Sequence, residues 1–210
     1  MTFILELVIA LIITIIFIQR EKPKLKFLFY GYAFFLLSML LQVPVQLFQG
    51  YLYETKWITI PSLVFTFVLI VIGEFTKYFS LKRFLHTKSY KNAILFGIGW
   101  VSLESINQLT LTIFSYIFSL FSIPFQEAYF LGEQYSFLTF PFFFMINLAI
   151  TVFVIIAVLK KKISYVFSAI LFAIVVSYGL YFAEGVELLL IATMLFLYSI
   201  YVIFRYRNLK

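Results

Sequence analysis

Two carboxyl groups and one ammonium group stand inside long apolar runs, and they are the residues of this chain best placed to do chemistry. Glu74 and Lys77 occur in GEFTKYF, three residues apart, which puts them on one face of a helix. Glu104 closes FGIGWVSLE, with no basic residue at i±3 or i±4 on its own helix. Charge at the centre of a membrane helix costs about 2.5–3.5 kcal/mol on insertion scales, so an ionisable group kept there is a functional candidate. Glu104 needs either a proton or a cation supplied by another helix. The Glu74–Lys77 pair neutralises itself, and Lys77 is within reach of the headgroups by snorkelling. Each group also has an architectural reading: an ion pair that anchors a helix end, and a neutral carboxyl in interhelical hydrogen bonds worth about 0.6–2 kcal/mol each.

Amides accompany these groups. Asn107 and Gln108 follow Glu104 at i+3 and i+4. Ser38, Gln42, Gln46 and Gln49 recur at spacings of four, four and three, one polar stripe on a helix that also carries Pro44. Asn147 lies near the middle of a later apolar run, with Thr151 one turn on. Gln42, Glu104, Gln108 and Asn147 fall at comparable depths, so they can line one polar chamber. They can equally be the hydrogen-bonding glue by which membrane helices associate.

The elements that must position these residues follow from composition. Of 210 residues, 64% are hydrophobic and 12% charged, against about 25% charged in soluble domains. A helix needs about 20 mostly apolar residues to cross the hydrocarbon layer. Seven such stretches tile the chain, near 2–19, 27–49, 57–80, 92–122, 135–159, 163–181 and 186–204. The runs are continuous and do not alternate at period two, which predicts helices and excludes a barrel. The expected architecture is all-α, a polytopic helical bundle in one integral membrane domain over residues 1–210. The first run has no basic residue before it and no small-x-small pattern after it, so it is expected to stay in the mature protein.

Charge sets an orientation. The formal net charge is +7, and fifteen of the sixteen basic residues fall on one side of the seven spans, with Lys56 alone opposite. The positive-inside rule makes that side cytoplasmic, which places the amino terminus outside and the carboxyl terminus inside. Glu6, Glu54, Glu127, Glu133, Glu184 and Glu187 fall on the outer side. This distribution points to the lipid bilayer as the partner of the basic loops and gives no support for nucleic acid. The expected location is a prokaryotic cell membrane.

Missing residues exclude several functions. The single histidine, His86, sits in a basic loop and cannot build a histidine-rich zinc site or a pair of histidine-ligated haems. The seventh span has no lysine for a retinal Schiff base. No phosphate-cradling glycine loop or nucleophile elbow is present. Without cysteine there are no disulfides and no thiolate ligands. Neither a metal nor another cofactor is expected.

Taken together, GEFTKYF and AILFGIGWVSLESI resemble the paired motifs of the YhfC-type membrane peptidases, a branch of the PrsW and CAAX-protease-like glutamate intramembrane proteases. The resemblance spans residues 73–106 and rests on Glu74, Lys77 and Tyr78, then Gly97, Gly99 and Glu104. Gly73 stands where that family has a first glutamate, and Trp100 where it has a histidine. The resemblance implies that Glu74, Lys77 and Glu104 are the catalytic positions. In the family a glutamate activates water, while histidines and an asparagine hold a metal or the oxyanion. Loss of the imidazoles predicts a protease-like fold without metal-dependent catalysis, acting as a membrane subunit that binds a transmembrane or lipid-modified peptide or other subunits. Two alternatives stay open: an active glutamate intramembrane protease using Glu74 and Glu104, and a component of a proton-coupled carrier built on Glu104.

Overall fold

The computed structural model describes residues 2–54, 60–84, 89–120, 140–182 and 185–205. They form seven α-helices: α1 Thr2–Glu21, α2 Lys26–Glu54, α3 Ile60–Phe84, α4 Tyr90–Leu120, α5 Phe140–Lys160, α6 Ser164–Phe182 and α7 Gly185–Arg205. No strand occurs among the described residues. Each helix coincides with one of the seven apolar stretches. Among the described residues, two segments, Lys26–Gln49 and Val64–Phe84, are long and apolar enough to cross a membrane. Lys56, His86, Lys88, Glu127, Glu133, Glu184, Arg207 and Lys210 lie outside the described residues.

Helix α5 is the axis of the bundle. It packs against α1, α3, α4, α6 and α7, and Val152, Val154, Ile155, Ile156 and Ala157 are fully buried. Such a helix, apolar on every side, has no polar face to offer water. The peripheral helices are apolar outward as well as inward. Leu47 on α2 and Met194 on α7 are each 69% exposed, and Phe29, Leu40, Leu171 and Leu197 are similarly bare.

One end of the bundle is closed by lysine-rich turns. Helix α1 ends on Lys22, whose N–H donates to the Ile18 carbonyl at 3.0 Å with φ at 45°. Pro23 then prevents the helix from continuing. Lys24 N–H donates to Asn92 Oδ1 at 3.0 Å, and Lys91 pairs with Glu21 at 2.8 Å, so the α1–α2 turn is clamped to the start of α4. Helix α5 ends in a Schellman motif: Lys161, at φ 55°, donates to Val158, and Lys162 donates to Ala157 at 3.0 Å.

The tightest crossing lies between α2 and α4. A Cβ on Gly31 would collide with the Phe96 carbonyl oxygen and lie 2.8 Å from Trp100 N, and a Cβ on Gly99 would collide with the Leu28 carbonyl. Only hydrogen fits at these two positions. The approach brings Phe35, one turn after Gly31, edge-on to Trp100 at 5.7 Å. At the same end Phe84 of α3 packs on Tyr30 and Phe34 of α2.

Gly31→Ala should therefore cost about 1–3 kcal/mol through overpacking. Gly73→Ala, which meets only Gln42 Nε2 at 3.6 Å, should be neutral or stabilising by up to about 1 kcal/mol. Thermal unfolding of both variants in a mild detergent checks the contrast.

Candidate functional site

The α2–α4 crossing places Trp100 beneath the polar turn of α3. Lys77 Nζ donates to Glu74 Oε1 at 2.7 Å and stands over the Trp100 ring, 5.3 Å from its centroid. Lys77 is 3% exposed, Glu74 5% and Trp100 2%. The lysine therefore points inward; it does not snorkel toward the helix end. A desolvated ammonium over an indole face gains about 2 kcal/mol, and Phe35 fixes the indole from the α2 side. Glu74 remains half satisfied, because its Oε2 is buried without a hydrogen-bond partner among the described residues.

Glu104 lies one turn beyond Trp100 on the same face of α4. The residue is partly buried as a whole, but its Oε2 is enclosed and has no hydrogen-bond partner among the described residues. Its electrostatic neighbours are Lys77, which attracts it, and Glu74, which repels it. The cation that its own helix lacks acts from α3. Thus α3 and α4, which carry the two sequence motifs, bring Glu74, Lys77, Trp100 and Glu104 into one electrostatic cluster.

The amides divide. Gln42 donates to the Leu69 carbonyl at 3.2 Å and to Ser38 Oγ at 3.4 Å, so it ties α2 to α3 beside Gly73. Gln46 and Asn107 are half-buried, and nothing among the described residues joins them to the cluster. Gln108 belongs to α4, but its side chain lies outside the described residues. Gly97 opens space for α5: a Cβ there would come within 2.9 Å of the Thr151 methyl. Thr151 Oγ1 donates to the Asn147 carbonyl at 2.9 Å, and Asn147 Nδ2 is buried without a partner among the described residues. Asn147 thus lies one turn before Thr151, the α5 residue that meets Gly97 of α4.

Sequence reasoning did not single out Gly31 or Phe35, which set the position of Trp100. Their signal was a single glycine in the aromatic-rich stretch FLFYGYAFF.

The metal that the peptidase resemblance implies does not fit this donor set. Glu74 is engaged by Lys77, an indole occupies the imidazole position, and no group of three or more His, Cys, Asp or Glu gathers among the described residues. What the arrangement offers is acceptor capacity on two carboxyl groups, donor capacity on one amide, and an ammonium bonded to Glu74.

Removing one partner of a buried pair exposes the other to an apolar surround. Lys77→Met should cost about 3–5 kcal/mol, and adding Glu74→Gln should recover most of that. A double-mutant cycle of denaturant unfolding measures the coupling. No family model, curated protein or solved structure matches the chain.

Proposed function

We propose that the chain is a seven-span integral membrane protein of a prokaryotic cell, amino terminus outside and carboxyl terminus cytoplasmic. In this reading it is a member of the glutamate intramembrane protease group that has given up metal-dependent catalysis and serves as a binding, complex-forming membrane subunit. Seven helices of 19–31 residues with apolar outward faces support the spans, and the one-sided basic residues support the orientation.

One observation carries the binding reading. Glu74 Oε2, Glu104 Oε2 and Asn147 Nδ2 are buried without partners among the described residues, whereas buried polar atoms in folded proteins are nearly always bonded. Two acceptors and one donor are what the N–H and C=O groups of a peptide main chain complement. The guest is accordingly a segment with free amide groups, such as an unwound transmembrane stretch or a lipid-modified peptide. Lys77 neutralises Glu74 and covers the indole, which supports recognition over water activation.

Two experiments test this proposal. Because the chain contains no cysteine, single cysteines at Thr2 and Lys161 report sidedness directly. An impermeant maleimide should label the first from outside and the second only after the membrane is opened. For function, a fluorescent model transmembrane peptide should bind the full chain in nanodiscs, and Glu104→Gln should weaken binding about 3- to 30-fold, the equivalent of one interhelical hydrogen bond. Cleavage of a transmembrane reporter, with stoichiometric bound metal and loss of turnover in Glu104→Gln, would overturn the reading in favour of an active protease.

A further inference from the structure

The seam between α3 and α6 joins a bare aromatic surface to a basic end. Rings follow one another across it: Phe167 of α6 meets Phe75 edge-on at 6.3 Å, Phe75 stacks on Phe79 at 6.1 Å, and Phe79 meets Tyr78 at 5.5 Å. Lys82 Nζ then lies over the Tyr78 ring, 5.7 Å from its centroid. Phe167 is 57% exposed and Phe79 59%, so the row faces outward although Tyr78 is buried. Leu171, one turn on from Phe167 and also exposed, extends it.

Positive charge gathers at one end of this row. Lys82 and Arg83 are exposed in the last turn of α3, and Lys160, Lys161 and Lys162 are exposed at the turn that leads into α6. Residues 77–84 and 153–172 include no acid. In the seven-span reading, on which this inference rests, the end of α3 and the start of α6 lie on one side of the bilayer. Lys82 follows Phe75 by about two helical turns, and α6 starts about one turn before Phe167, just after Lys162. Since the two helices meet at those phenylalanines, both sets of basic residues top the same seam.

We propose that this seam binds one anionic phospholipid, its acyl chains against Phe167, Phe75 and Phe79 and its phosphate held by Lys82 and Lys162. The diester supplies the negative charge that this end of the seam lacks, and the chains cover the bare rings. Contact with Tyr78 already holds Lys82 beside the row, which lowers the cost of ordering it on binding. A second copy of the protein would bring the same positive end to the seam and be opposed by like charge. At the α1–α2 turn, also basic, Lys26 lies over Phe27, and the rings there lead to Tyr30 and Phe84, between α2 and α3. That turn attracts headgroups without offering a bare row for the chains.

Full-length protein in a neutral detergent is titrated with phosphatidylglycerol and, separately, with phosphatidylcholine of the same chain length, and bound lipid is counted by native mass spectrometry. Phosphatidylglycerol should bind first at one per protein, and more tightly than phosphatidylcholine. Lys82→Gln should weaken it about 5-fold, and Lys82→Gln with Lys162→Gln about 30-fold. Lys24→Gln with Lys26→Gln removes the same charge from the α1–α2 turn and should leave that first lipid bound. All four lysines are exposed, so the packed core is untouched. Equal affinity for the two lipids, or equal loss in the two double variants, would overturn the site. Displacement of the lipid by glycerol phosphate, which has the charge and no chains, would overturn it too. Sidedness plays no part in this titration, so its failure is separable from failure of the seven-span reading, which the maleimide labelling tests.

Discussion

An ammonium enclosed by packed helices has no water to turn to, and the centre of this bundle is arranged around that constraint. Lys77 gives one hydrogen bond to Glu74 and rests on the face of Trp100. Removing Glu74 takes away its ion pair, and removing Trp100 takes away the ring it rests on. The ion pair alone roughly breaks even against its desolvation. Its stability therefore depends on the indole being in place, and the indole depends on a crossing several residues away.

That crossing links local sequence to the site. Gly31 and Gly99 let the α2 and α4 backbones touch, which seats Phe35 against Trp100 and points the ring at α3. Helix α5 closes the other side through Gly97 and Thr151. The glycines of the second motif therefore have packing roles in this molecule. They fix helix separations, and the separations decide which side chains meet.

Much of the fold could be read from sequence, and the reason is physical. Continuous apolar runs specify helices wherever they lie, and their ends agree with the observed elements to within a few residues. The differences arise from tertiary contacts: α3 continues to Phe84 because Leu81 is buried and Phe84 packs on Tyr30 and Phe34. The Glu74–Lys77 pair followed from i,i+3 spacing alone. The inward course of Lys77 did not, since it rests on Trp100, 23 positions later in sequence. Gln42 had the spacing of a chamber residue, yet it is spent on a backbone carbonyl. Periodicity identifies the face of a helix; it does not say what opposes that face.

The lysine turns carry a consequence of their own. Lys22 and Lys161 hold left-handed backbone angles that glycine adopts without steric penalty. A chain shaped by folding stability alone would place glycine at both. Lysine at such corners sets positive charge at the very tips of α1 and α5, beside the carbonyl ends of those helices, where it also offsets their dipoles. Backbone ease and compensation of the helix dipole are thus set against each other at single residues. Glycine at either corner would relax the backbone and strip the positive charge from that helix tip in one and the same change.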